Sequence, residues 1–317
     1  MISLKDISVK FDHRGIAGLH GIDFTLGPSE IFAVLGPNGS GKTTLLNTIL
    51  NHPELRSSVH LFKTKEVVID QNVQQFLIRE VTLDIELDKK VQLSRDLADI
   101  FEFTFQLRQN LSELSAGQKQ KVMMASELIN KPQVLLLDEP FSHLDPFTRK
   151  DILKSLFQYL KNQQTSVVWV THDLQDAQEF SHRMGILNFG KWEQVDTPEN
   201  ILFHPKNLFV AQYMGYQNFL PIKFNQNYWQ TPWGEWNTNY VSEIEEALLV
   251  IPQNAWNFHG PEFTVSKVHL KHQSRLLEVS SNERTYWVEL KRNDPVFSSY
   301  QRINLTPRLE ECFIIPL

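Results

Sequence analysis

The eight residues Gly36-Pro37-Asn38-Gly39-Ser40-Gly41-Lys42-Thr43 constrain this chain more than any other segment. They fit the pattern G-x-x-x-x-G-K-[ST], and their flanks give it physical meaning. Before them Ile31 to Leu35 is a short apolar run that predicts a buried strand. After them Thr44 to Leu50 carries Leu45, Leu46, Ile49 and Leu50 at helical spacing. A strand, a glycine-rich turn and a helix start together form an anion cradle. Glycines let backbone N–H groups curl around phosphate oxygens, and the helix N-terminus adds partial positive charge. In such a loop the lysine (Lys42) reaches the β- and γ-phosphates and the hydroxyl (Thr43) ligates Mg²⁺, with Thr44 next in the helix. The segment predicts a chain that binds a nucleoside triphosphate with Mg²⁺.

A second segment narrows the chemistry. Val134-Leu135-Leu136-Leu137-Asp138-Glu139-Pro140 is an apolar run ending in two adjacent carboxylates. A buried strand here delivers Asp138 to the metal beside the loop, and puts Glu139 where it can polarise the water that attacks the γ-phosphate. A third segment, Leu114-Ser115-Ala116-Gly117-Gln118, is another small-residue turn before a helix. Its N–H groups and serine hydroxyl suit phosphate, although Ser and Gly are also ordinary capping residues.

In their order along the chain the segments resemble the ATP-binding cassette (ABC) ATPases over about residues 1–215. Leu114 to Gln118 resembles that family's signature, with Ala116 where glycine is commonest. Ser142-His143-Leu144-Asp145 resembles the D-loop; Asp145 also suits the N-cap of the next helix, with Pro146 at its first position. His172, after Val167 to Val170, is similar to the switch histidine, and Phe11 falls where the family stacks an aromatic on adenine. Gln71 is similar to the glutamine that senses Mg²⁺ and water, with Gln74 and Gln75 as rivals. The resemblance implies Glu139 as general base, with His172 and Gln71 assisting. It implies an ATP site formed by Phe11, Gly36 to Thr44, Ser115, Gly117, Gln118 and Asp145, with Mg²⁺ on Thr43, Gln71 and Asp138. It also implies a head-to-tail dimer, each ATP lying between one copy's phosphate loop and the other's signature.

The chain departs from the family pattern in two places. Lys42 to Gln71 is short, with little room for the usual β-rich subdomain, and lysines follow the signature where arginine is common. The residues assigned to phosphate and Mg²⁺ are all present, so an active ATPase is expected.

At 317 residues the chain has room for two domains. The alternation of strand-like runs (Ile31 to Leu35, Val134 to Leu137, Val167 to Val170, Met184 to Leu187) with helical patterns (Leu93 to Phe103, Val122 to Asn130, Asp151 to Lys161) predicts an α/β domain over 1–215. Its helical subdomain is expected at about 72–132. After Gly215 helical periodicity fades. Ala247 to Ile251, Phe263 to Lys271, Leu276 to Ser280, Thr285 to Leu290 and Cys312 to Ile315 read as strands of a small all-β domain, OB- or TOBE-like, over 216–317. The hinge Asn207 to Gly215 and the strand Ala247 to Gln253 resemble the tail of bacterial importer ATPases, which serve sugars, polyamines, oxyanions and ferric iron. The single short β unit resembles the ferric-iron branch most.

No run reaches 18 apolar residues, so a transporter would need separate permease subunits and, indirectly, a solute-binding protein. Their docking surface is expected near Gln71 to Glu86, where Phe76, Leu77, Ile78 and Val81 serve either a partner or the subdomain's own core. Met1 to Lys10 alternates like a strand and lacks a signal-peptide core. With Cys312 as the lone cysteine, a cytoplasmic protein peripheral to the inner membrane face is expected. The net charge of −6 argues against a nucleic-acid partner. Trp229, Trp233 and Trp236 serve either as packing anchors or as an exposed contact, packing being favoured. The competing classes are a soluble ABC ATPase acting on ribosomes or DNA, an export ATPase, and a regulatory protein with an effector-binding tail.

Overall fold

The computed structural model describes residues 2–9, 18–51, 59–61, 95–101, 118, 121, 124, 125, 128, 132–141, 144–225, 228–236, 245–271, 274–281 and 284–316. The chain divides into two compact units, Met1–Glu199 and Asn200–Leu317.

In the first unit β1 (Ile2–Val9) and β2 (Leu19–Leu26) pair antiparallel. β2 was not among the strands read from the sequence. It has no continuous apolar run: Leu19, Ile22, Phe24 and Leu26 are buried, while His20, Gly21 and Asp23 face out. Then follow β3 (Ile31–Leu35), β4 (Val59–Leu61), β5 (Val134–Asp138), β6 (Ser166–Val170), β7 (Arg183–Asn188) and β8 (Lys191–Asp196), in spatial order β4-β5-β6-β3-β7-β8. All pairs are parallel except β7 with β8. Every residue of β3, β5 and β6 is buried, which is why each reads as an unbroken apolar run.

The pleat sorts these runs into two cores. Leu135, Leu137, Val167 and Trp169 pack on one face with α2 (Arg95–Ile100) and α3 (Pro146–Asn162). Leu136, Val168, Val170, Phe32 and Val34 pack on the other with α1 (Lys42–Asn51), β1 and β2. α3 buries Ile152, Leu153, Leu156, Phe157 and Leu160, the stripe read from the sequence, but begins five residues earlier than Asp151, because Asp145 caps it and Pro146 opens it. Of the region expected to form the helical subdomain, α2, Phe101, Gln118, Lys121, Met124, Ala125, Leu128 and Pro132 are described, the five from Gln118 to Leu128 all at helical positions.

After α4 (Leu174–Phe180), α5 (Pro198–Phe203) and α6 (Leu208–Tyr213), the second unit is built from antiparallel strands. One sheet holds β9 (Asn218–Asn225), β10 (Tyr228–Thr231), β11 (Gly234–Trp236), β12 (Glu246–Ile251) and β17 (Phe313–Pro316) in the order β11-β10-β9-β12-β17. The other holds β13 (Trp256–Leu270), β14 (Ser274–Ser281), β15 (Arg284–Lys291) and β16 (Arg302–Pro307) in the order β15-β14-β13-β16. The change of texture read at Gly215 falls inside this unit, where Ala211 of α6 already packs with Leu248, Val250 and Ile315. The tryptophans are packing residues. Trp229 is 1% exposed and faces Trp236 across the β10–β11 hairpin. The Trp233 ring stands edge-on to Trp256 at 5.9 Å. Buried Asn218 ties the two sheets: its Nδ2 donates to Ile251 O and Trp287 O, and its Oδ1 accepts from Trp287 N.

Candidate nucleotide site

β3 ends at Leu35, and the chain turns through Gly36 to Gly41 into α1, whose first residue is Lys42. Two glycines here are sterically required. Gly36 has φ 149°, and a Cβ on it would lie 2.1 Å from the Leu187 carbonyl oxygen; Gly41 has φ 105°, with Leu19 and Gly18 already at contact distance. The Lys42 Nζ donates to Gly36 O at 2.8 Å and Pro37 O at 2.9 Å, so its charge is folded over the loop. Burial pulls the ammonium pKa down, opposed by the carboxylates of Glu139 and Asp138. The Ser40 Oγ is buried with no hydrogen-bond partner, an orphan that suits a loop built to meet a ligand's oxygens.

The loop is also braced from outside, which the sequence did not suggest. The β7–β8 turn places Gly190 so that its N donates to Ser40 O and its O accepts from His20 N, both at 2.9 Å. β2 and β7–β8 thus hold the loop's apex by backbone contacts alone. No residue-type pattern marks such an interaction.

Neighbouring strand ends deliver the acidic groups. The registers pair Val34 with Val170 and Val170 with Asp138, so β3, β6 and β5 finish at one edge of the sheet. There the Thr43 Oγ1 donates to Asp138 Oδ2 at 3.0 Å. Glu139 adopts φ 49°, and its N donates to Val170 O at 2.9 Å. A non-glycine residue in that left-handed region costs about 1–3 kcal/mol, and Glu139 is one of six such residues among those described. The Glu139 Oε2 lies 3.4 Å from His172 Nδ1. Two segments 33 residues apart in sequence thus present a carboxylate and an imidazole to one small cleft, lined also by Thr171 and Arg149.

Asp145 caps α3, its Oδ1 accepting from Thr148 N at 3.0 Å. Hydrogen bonding from Thr148 holds its carboxyl below the usual range. One turn further on, Arg149 contacts Asp173 and Asp176 of α4. That cross-helix pairing is not visible in sequence, where the three charges look like solvated helix faces. Gln118 is half-buried in a helix. Phe11, Gln71 with its rivals Gln74 and Gln75, Ser115, Gly117, Ser142, His143 and the 71–86 segment lie outside the described residues.

The Thr43 hydroxyl beside the Asp138 carboxylate is a pair of hard oxygen donors of the kind Mg²⁺ selects, and these two residues would hold such an ion. Among the described residues no three His, Cys, Asp or Glu side chains gather into a metal cage.

The sequence profile of the family described as "ABC transporter" matches residues 19–142. The spermidine/putrescine import ATP-binding protein PotA of Mycoplasma capricolum is 32% identical, over 91% of this chain and 90% of that protein. The sulfate/thiosulfate import ATP-binding protein CysA of Methylococcus capsulatus is 32% identical over 68% of each chain. The Fe(3+) ions import ATP-binding protein FbpC 2 of Haemophilus influenzae is 26% identical over 91% of this chain and 90% of its own length. Strand-end carboxylates, the braced loop and these likenesses agree: the chain belongs to the ATP-binding subunits of ABC transporters, in the branch that drives import.

Proposed function

We propose that the chain hydrolyses ATP at the Gly36–Thr43 loop with Glu139 as general base, and that a pair of such chains docked on permease subunits couples this to uptake of a small solute. The observation that supports this reading is a chain of contacts: Thr43 meets Asp138 at 3.0 Å, the carboxylates of Asp138 and Glu139 both act on the Lys42 ammonium, and Glu139 lies 3.4 Å from His172. Lys42 and the loop amides hold the phosphates. Thr43 and Asp138 would hold Mg²⁺, which supplies charge neutralisation at the phosphate oxygens. Glu139 orients and deprotonates the attacking water, and His172 steadies the carboxylate and the γ-phosphate. In the proposed dimer, Ser115, Gly117 and Gln118 of one copy close over the ATP held by the other, beside Asp145. Phe11 stacks on the base, and Gln71 joins the metal and water.

Among the described residues no helix is long and apolar enough to cross a membrane, so membrane work falls to partner subunits, with the ATPase on their cytoplasmic face. The domain organisation we propose is a cassette over 1–215 with a helical subdomain, followed by a TOBE-like regulatory unit over 216–317. For the cargo, a polyamine is favoured by the 32% identity to the spermidine/putrescine protein over nearly the whole chain. Ferric iron, to which the short β unit pointed, is the second reading, supported by the Fe(3+) relative at 26%.

Glu139→Gln tests the base. Hydrolysis is expected to fall at least ~100-fold while ATP affinity is kept. Turnover near the wild-type rate would remove Glu139 from that role. Uptake of labelled spermidine and of ferric iron by cells carrying Lys42→Ala in place of the wild type separates the two cargo readings.

A further inference from the structure

We propose that Arg149 is a positioning residue for hydrolysis, which locks the turn bearing His172 onto the helix that Asp145 caps. The proposal rests on the assignment of Glu139 and His172 above.

Arg149 sits one turn into α3, its N donating to Asp145 O at 2.9 Å. Its side chain is 16% exposed. The guanidinium lies between two carboxylates of α4: Nη2 donates to Asp173 Oδ2, and Nε lies 2.9 Å from Asp176 Oδ2. Asp173 directly follows His172 and is already committed locally. Its N donates to the Thr171 Oγ1 at 3.1 Å, and its Oδ1 caps α4 by accepting from Asp176 N at 3.0 Å. One carboxylate oxygen therefore fixes the helix start and the other is fixed by Arg149. The Asp173 carboxylate is thus held at both oxygens, while Asp176 is tied to the guanidinium by charge at 2.9 Å without an aligned hydrogen bond. The planar fork reaches both partners at once, which a lysine ammonium on its flexible stem does poorly.

The placement joins this network to the chemistry. Arg149, Asp176, Glu139 and His172 line the same cleft. Without Arg149, Asp173 and the nearly buried Asp176 would face each other with no guanidinium between them, and like charges at that range repel. α4 would be pushed outward at its first turn, and His172 would move with it. A displacement of about 1 Å at a reacting group can cost ~100-fold in rate. The Lys42 contacts and the loop's backbone brace do not involve Arg149, so ATP binding is expected to survive. The neighbouring pair Lys150–Glu179, at 2.6 Å, is far more exposed, and such a pair contributes little.

In the full-length protein, Arg149→Ala is expected to lower kcat by ~10–100-fold with KM for ATP within about threefold. Arg149→Lys should recover part of the loss, and Lys150→Ala should hydrolyse at the wild-type rate. In single-turnover hydrolysis, adding Arg149→Ala to His172→Ala should cost less than about twofold more, since a residue acting through His172 has nothing left to position. Full additivity in that cycle, a loss confined to KM, or wild-type kcat in Arg149→Ala each overturns the proposal. If Arg149→Ala does not fold, Asp173→Asn, which keeps the cap acceptor and drops the charge, takes the same three readouts. Glu139→Gln is run in parallel: rapid turnover there defeats the base assignment, whereas a dead Glu139→Gln beside a fully active Arg149→Ala defeats only the positioning role.

Discussion

The two units of the chain bury different kinds of atoms. Of the eight buried polar or charged residues among those described, seven (Ser40, Lys42, Asp138, Thr165, Ser166, Thr171 and Asp176) belong to the first unit and only Asn218 to the second. In the first unit Ser40, Lys42, Asp138, Thr171 and Asp176 lie on the side where β3, β5 and β6 end, with a left-handed glutamate and glycines that admit no side chain, whereas Thr165 and Ser166 sit at the start of β6 and bond backbone carbonyls there. In the second, the single buried amide bonds backbone groups of both sheets and the surrounding core is aromatic and aliphatic. Burying polarity is expensive unless it is paired. Where a chain does so repeatedly at one edge of a parallel sheet, the return is chemistry; where it does so once between two sheets, the return is register.

The sharpest break of this contrast is Lys42→Ala. It should abolish hydrolysis and the rise in melting temperature that ATP confers on the wild type, since a ligand stabilises only the state that binds it. Calorimetry with and without ATP checks this; a persistent ATP-induced shift would detach Lys42 from the site. Trp229→Ala should do the opposite, destabilising the β unit by about 3–5 kcal/mol through the cavity it leaves while ATP affinity is unchanged. Denaturant unfolding followed by tryptophan fluorescence, beside nucleotide titration, reads both. Asn218→Ala should cost less, about 1–3 kcal/mol, by leaving Trp287 N and two carbonyls short of partners.

The smallest effect is in pH. Burial pushes the Cys312 thiol from 9.0 and the Tyr216 hydroxyl from 10.0 up to about 12. Both groups keep their protons when folded at pH values where the unfolded chain has lost them. Their contribution is therefore intact below about pH 9 and falls away between 9 and 12. Alkylation of Cys312 at pH 8 should be slow in the folded protein and fast in urea. Equal rates would place the thiol outside the core.

Much of the first unit was legible because its central strands are buried on both faces. Ile31 to Leu35 and Val134 to Leu137 have no polar position to blur them, so their limits came within a residue of β3 and β5. β2 and β8 were not read, since strands half exposed to water alternate with polar residues and glycine. β9 and β16, on the second unit's sheets, alternate likewise and escaped for the same reason. In the site, Lys42, Thr43, Asp138, Glu139 and His172 were named from motif chemistry. Arg149, Asp173, Gly190 and His20 were not, because their partners are reached only after the chain has folded.

By itself the sequence determined the local chemistry: a glycine turn before a helix, carboxylates at the end of an apolar run, a cap at Asp145. These depend on neighbours a few residues apart, and short-range sterics and hydrogen bonding decide them wherever the segment sits. The tertiary structure alone decided which strand ends share an edge, that Glu139 faces His172, that Gly190 braces Ser40, and that one arginine holds two aspartates of another helix. Those contacts join residues 24 to 150 positions apart, and what brings them together is the packing of two apolar faces around a common sheet.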